Sequence, residues 1–320
     1  MLPGMLRTIL VAVGLLFATA GSAQAVTDAT LRVTSYTTPG GQPYARVDYT
    51  DTAAERNDLL ITPDGGDLLI TDSAATLPLP SISMPDAAVC TLSADEHTVR
   101  CPVPTATIIT AIVSTGDGDD VVDFRTTNPS GSTVLGGAGN DTITTDGGLI
   151  NGGPGDDTIT ARWLSSTLDG EAGADHITGS PQIDLIRGGP GNDVLDGAAG
   201  NDTIHDGADT DPDADDDVLR GGDGVDALFS HGGVDRLEGG ADTDYLYARD
   251  AETAPGSAKA STADTLDCGA GADYFHVDAA DGLTGCETDF DPCTALPYPG
   301  RPAFPCTKAP DAAPAAPAPA

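Results

Sequence analysis

From Gly152 the chain keeps a nine-residue register for six consecutive units, starting at 152, 161, 170, 179, 188 and 197. "GGPGDDTIT" from Gly152 is the type unit; "GGAGNDTIT" from Gly136, "GGPGNDVLD" from Gly188 and "GGDGVDALF" from Gly221 are near copies. Numbered from its first glycine, the unit carries an acid at position 6 and an aliphatic at position 8. Position 8 reads Ile159, Leu168, Ile177, Ile186, Leu195 and Ile204, and position 6 reads Asp157, Ser166, Asp175, Asp184, Asp193 and Asp202. So short a period leaves few folds open. No single unit buries a core, so stability has to come from stacking unit on unit.

The pattern extends both ways. Residues 206–211 interrupt it, and a second block starts at Pro212 with Asp217, Asp226, Asp235 and Asp244 at position 6 and Leu219, Leu228, Leu237 and Leu246 at position 8. After an insertion at 248–258, a last pair brings Asp264 and Asp273 with Leu266 and Phe275. Upstream, Asp120 and Asp141 belong to looser first turns.

The glycines let the backbone turn tightly at positive φ and turn its carbonyls and amides outward. The three residues around position 8 make a minimal strand with one inward aliphatic. A narrow stack of Ile and Leu has no room for large rings, which accounts for an aromatic content of 4%.

If two units make one coil, same-side acids recur every 18 residues: Asp157, Asp175 and Asp193 on one side, Asp184 and Asp202 on the other. In the second block Asp217 lies over Asp235, and Asp226 over Asp244. Stacked strands lie about 4.8 Å apart. Unit charges at that spacing repel by about 1 kcal/mol in the dielectric of water and by several times that at an effective dielectric near 20. The chain has 50 acids against 14 basic residues and a formal charge of −36, so its own Lys and Arg cannot neutralise the columns. A hard divalent cation that takes carboxylates together with backbone carbonyls fits, and a flexible oxygen cage favours Ca²⁺ over Mg²⁺. The same charge argues against nucleic acid or an anionic membrane as partner.

These units resemble the RTX (hemolysin-type) calcium-binding nonapeptide repeat, over residues 115–287. The segments "VCTLSADEHTVRCP" and "LDCGAGADYFHVDAADGLTGCE" are also similar to small secreted actinobacterial members. The resemblance implies an all-β parallel β-roll, a β-solenoid, with several Ca²⁺ ions held between successive same-side turns. The implied carboxylate ligands are Asp120, Asp141, Asp157, Asp175, Asp184, Asp193, Asp202, Asp217, Asp226, Asp235, Asp244, Asp264 and Asp273. The turn glycines lending carbonyls would be Gly136, Gly139, Gly152, Gly155, Gly170, Gly173, Gly188, Gly191, Gly197, Gly200, Gly221 and Gly224. Ser166, Glu171 and Asp242 depart from the motif, so the sites beside them are expected to be weak.

The first 25 residues, with Arg7, an apolar run from Ile9 and Ala23-Gln24-Ala25, read as a Sec-type signal peptide cut after Ala25, hence a secreted protein. In an oxidising compartment the six cysteines read as disulfides between sequence neighbours, Cys90–Cys101, Cys268–Cys286 and Cys293–Cys306. Cys268 and Cys286 are 18 residues apart, one full coil, and are expected to staple the C-terminal edge of the roll. Residues 26–114 lack the nonamer but hold β-prone runs, including "DLLITPDGGDLLIT" as a hairpin, and read as an N-terminal cap. Residues 288–320 form a Pro/Ala-rich tail.

Catalytic patterns are missing. "DEHTV" around His97 is not a zinc-protease helix motif, and no G-x-S-x-G is present. His205 and His231 lie among acids, where surface histidines outnumber metal ligands. Trp163, the single tryptophan, lies in the degenerate turn 161–169 as a packed lid or an exposed contact. The sequence therefore points to a calcium-binding structural or surface roll. An adhesive or ice-binding roll is the alternative, and a hydrolase using the insertions a more distant one.

Overall fold

The computed structural model describes residues 29–37, 43–52, 54, 56–74, 81–83, 90–103, 108–125, 132–207, 215–248, 263–277, 281–286 and 288–289. The expected signal peptide, Cys293–Cys306, nearly all of the tail and most of both insertions lie outside these residues. Among them are strands and turns and no helix, arranged as two thirteen-stranded sheets.

Each nonamer contributes one strand, and successive strands alternate between the two sheets. In one sheet Ile143, Ile159, Ile177, Leu195, Leu219, Leu237 and Leu266 stand in parallel register. In the other, Val134, Ile150, Leu168, Ile186, Ile204, Leu228 and Leu246 do the same. All fourteen are at most 1% exposed. Their neighbours at positions 7 and 9 alternate outward, as a period of two requires. The fold is the parallel β-roll that the repeat implies.

The two insertions do not break the stack. Leu195 pairs with Leu219 and Ile204 with Leu228, a separation of 24, the usual 18 lengthened by six. Leu237 pairs with Leu266 at a separation of 29. The added residues lie in the turns between His205 and Val218 and between Ala248 and Thr265. What look in sequence like separate blocks form one continuous roll, because only the strands need to keep register.

At the N-terminal end the sheets continue into the cap. Ile108–Asp117 pairs in parallel with Pro43–Thr50 on one side and with Thr133–Ala138 on the other. Asp58–Asp64 likewise pairs in parallel with Val121–Phe124. Beyond these junctions the pairing turns antiparallel, between Thr30–Thr37 and Pro43–Thr50 and between Asp58–Asp64 and Asp67–Asp72. The expected hairpin is present, with Gly65 and Gly66 at φ 60° and 105° supplying its turn. Cys90–Cys101 closes the cap's edge hairpin with its Cα atoms 4.2 Å apart. Cys268–Cys286 joins consecutive coils at the other end, at 5.0 Å.

The core is one side chain per strand, so deletions should be felt locally and strongly. Leu195→Ala should cost about 2–5 kcal/mol, whereas Ile183→Ala, at a side chain 62% exposed, should stay within about 0.5 kcal/mol. Denaturant unfolding at saturating Ca²⁺ checks the pair; comparable losses would mean that the stacked aliphatics do not carry the fold.

Candidate metal centres

The position-6 acids form two ladders. In the first, the backbone N–H of each member donates to Oδ1 of the member one coil further on: Asp120 to Asp141 (2.8 Å), Asp141 to Asp157 (2.7 Å), Asp157 to Asp175 (2.8 Å) and Asp175 to Asp193 (2.8 Å). It runs on through Asp217, Asp235 and Asp264 to Asp281. The second starts where Ser166 N–H donates to Asp184, and continues through Asp202, Asp226 and Asp244 to Asp273. All thirteen predicted carboxylates therefore lie on one ladder or the other, each at most 4% exposed.

The ladder occupies only one oxygen of each carboxylate. Oδ2 of Asp141, Asp157, Asp175, Asp193 and Asp235 in the first column, and of Asp202, Asp226 and Asp244 in the second, is buried with no hydrogen-bond partner. A carbonyl converges on the same point. A Cβ built on Gly152 would fall 2.1 Å from Asp157 Oδ2 and 3.0 Å from the Gly170 carbonyl oxygen. At Gly170 the corresponding atoms are Asp175 Oδ2 at 2.2 Å and the Gly188 oxygen at 2.7 Å; at Gly221 they are Asp226 Oδ2 at 2.4 Å and the Gly239 oxygen at 2.5 Å. At these turns position 1 is glycine because a side chain would enter an oxygen-lined cradle; the unit carrying Asp235 has Ser230 there instead. Buried anionic oxygens without a donor are costly, and oxygens of both kinds aimed at one point suit a hard cation. Among the described residues no cluster of three or more His, Cys, Asp or Glu side chains could hold a metal unaided, so carbonyls have to complete each coordination shell.

Comparison with known families agrees with this geometry. The model of the RTX calcium-binding nonapeptide repeat, four copies long, matches residues 130–148, 149–163, 169–204 and 213–249. These residues are RTX nonapeptide repeats. RTX nonapeptides bind Ca²⁺. A search of curated proteins found no match.

Where the RTX motif is broken, the backbone nevertheless follows the same path. Glu171 and Asp242 stand at motif glycine positions with φ 77° and 78°, in the left-handed region that costs a residue with a Cβ about 1–2 kcal/mol. Ser166 keeps its place at the head of the second ladder but brings no carboxylate. Trp163 is 63% exposed, a surface contact rather than a lid. His205 stacks on Phe229 with centroids 4.6 Å apart, and His231 Nδ1 lies 3.2 Å from Asp206 Oδ1.

Position 5 has a function that the spacing of the acids does not reveal. Asp119, Asn140 and Asp156 each accept, through Oδ1, the backbone N–H of position 5 one coil further on, at 2.9, 3.0 and 2.9 Å. Asn192, Asn201 and Asp216 repeat the contact across the later coils. The signal was present as a run of short acceptor side chains, Asn or Asp, just before the position-6 acid. Asp281 was missed because no glycine pair precedes it.

Burial, reinforced by neighbouring acids, raises the carboxyl pKa values of both columns. They reach about 6 at Asp141, Asp175 and Asp226, about 7 at Asp157, Asp217 and Asp244, and about 8 at Asp193, Asp202 and Asp235. A carboxyl with a raised folded-state pKa binds more protons folded than unfolded, so it favours folding at low pH and ceases to do so as pH rises through the folded value. Metal-free protein should accordingly melt at a higher temperature at pH 5 than at pH 8, with the loss beginning near the unfolded carboxyl value of about 4 and complete by about pH 8. Saturating Ca²⁺ should reverse the trend, because the ion needs the deprotonated form. Thermal melts across that range with and without Ca²⁺ test it; a metal-free melting point that rises with pH would contradict the burial assigned to the columns.

Proposed function

We propose that this is an exported calcium-binding roll whose repeats fold when they meet Ca²⁺ outside the cell and which serves as a structural or surface element there. The observation that carries the reading is the pair of buried columns in which one oxygen of each aspartate is tied to the preceding coil and in most of them the other is buried without a donor, Asp184 being an exception whose Oδ2 accepts the Ser180 N–H. The ligands we assign are Asp141, Asp157, Asp175, Asp193, Asp217, Asp235 and Asp264 in the first column and Asp184, Asp202, Asp226, Asp244 and Asp273 in the second, with position-1 carbonyls between them. Export is supported by the signal-peptide pattern of residues 1–25 and by two disulfides, which persist in oxidising compartments. We take 26–114 as the cap, 115–287 as the roll and 288–320 as the tail.

The adhesive or ice-binding alternative needs a long flat array of threonine. Thr144, Thr160 and Thr178 do stand in register, but the row continues into Asp196 and Arg220. The calcium reading is preferred for that reason.

A ligand that binds only the folded state stabilises it by mass action. Chelation should therefore remove the far-UV β signal of the roll, and added Ca²⁺ should restore it cooperatively; a spectrum and melting point indifferent to EDTA would overturn the reading. The residue assignments are tested separately by calorimetric titration. Asp175→Ala and Asp193→Ala should each lower the number of ions bound, while Asp156→Ala should leave it unchanged, its Oδ1 serving only the Ala174 N–H. Equal losses in all three variants would defeat the column assignment.

A further inference from the structure

The N-terminal coils depart in both columns from the glycine turns that follow them. In the first, Gly136 stands opposite Thr115, since Leu135 pairs with Ser114 and Gly137 with Gly116. Thr115 is thus the position-1 residue of the turn that ends in Asp120. Where Gly136, Gly152, Gly170 and Gly188 would each drive a Cβ into the oxygen cradle, Thr115 already places a side chain there, fully buried. Its Oγ1 donates to the Gly136 carbonyl at 2.8 Å, the counterpart of the carbonyls that face the cradles downstream. Ahead of Asp120 the ladder ends on a neutral group, Asn57. The Asn57 N–H donates to Asp120 Oδ1 at 2.6 Å, and the Tyr49 hydroxyl donates to Asn57 Oδ1 at 2.8 Å.

In the second column the position-6 acid is replaced three times running. Gly148 stands in register with Ser166, and a Cβ on Gly148 would meet the Ser132 carbonyl at 2.3 Å; Asp184 is the first acid. The same turns contain a positive charge. Arg162 donates through Nε to Asp146 Oδ1 at 2.7 Å, through Nη1 to Asp123 Oδ1 at 2.9 Å and through Nη2 to the Phe124 carbonyl at 2.6 Å. Two carboxylates and a backbone carbonyl from the two preceding coils thus converge on one guanidinium. In a chain with 14 basic residues against 50 acids, that placement stands out.

We propose that Thr115 and Arg162 are the chain's own replacements for calcium at the N-terminal end of the two columns. The ion-binding part then begins at Asp141 in the first column and at Asp184 in the second. Asp120 accepts through Oδ1 from Asn57, and although its Oδ2 is buried without a partner like those downstream, the Thr115 side chain fills the space an ion would take, so Asp120 is not a ligand. The cap and the first coil, up to about residue 125, hold their fold without the ion and present a finished pair of strands on which the calcium-dependent coils assemble. The inference rests on the reading that the carboxylate columns hold calcium.

The test compares ion counts and exchange protection in the full chain. By calorimetric titration, Thr115→Gly should bind about one more Ca²⁺ per chain than the parent, because it recreates the glycine cradle beside Asp120, while Thr115→Ser should keep the parental count. An unchanged count in Thr115→Gly would overturn the assignment of Thr115. In EDTA, hydrogen exchange should leave the amides of 43–50, 58–72 and 108–124 protected while those of 194–248 exchange at least tenfold faster; equal exchange in both regions would overturn the preformed end. At saturating Ca²⁺, Arg162→Gln should raise exchange of 142–161 by about tenfold without changing the ion count, and a lowered count would place a calcium ligand where we place a guanidinium. Should the parent chain bind no Ca²⁺, the column reading itself fails, an outcome distinct from all of these.

Discussion

Carboxylates stacked one strand spacing apart behind a dry wall are the constraint on which the rest of this molecule depends. Each aspartate is positioned by a backbone N–H from the preceding coil, which is why the acids recur in strict register. In most of them the second oxygen is left buried and without a donor. An array of that kind repels itself and resists ionisation until a cation is shared between coils. The position-1 glycines follow from this, because any Cβ there would collide with the oxygens that face the ion. On the proposed function, calcium binding and folding are one process in the roll beyond its first coil.

The coil is tolerant of everything else. Only the inward aliphatic and the ladder bonds are repeated without exception, so added chain can leave through a turn without disturbing either. Both insertions do so on the side of the first column, between Asp206 and Asp217 and between Ala248 and Asp264, and the ladder crosses each with bonds of 2.7 and 2.8 Å. Departures from glycine at Glu171 and Asp242 are absorbed as local left-handed strain.

The two ends of the roll are closed by different means. At the N-terminal end, antiparallel hairpins continue both sheets, and neutral or basic groups finish the acidic columns: Asn57, Tyr49 and Thr115 on one side, Arg162 on the other. At the C-terminal end a disulfide ties Cys268 to Cys286 across the last coils, where an open strand edge would otherwise invite pairing with another chain.

The sequence by itself determined the repeat length, the inward aliphatic, the two-sided columns of acids and hence calcium, because each of these is a strictly periodic demand written once per unit. It also pointed to the staple at Cys268–Cys286, since 18 residues is one coil, and the structure forms it. Only the tertiary structure decided that the interrupted blocks form one unbroken stack, because registry is held by strand pairing and not by residue count. It likewise revealed the second acceptor ladder at position 5, which is a contact between coils rather than a property of one. Thr115, Asn57 and Arg162 were illegible for the same reason: their partners lie in other coils, and nothing in the local sequence marks a threonine or an arginine as standing where other turns hold an ion.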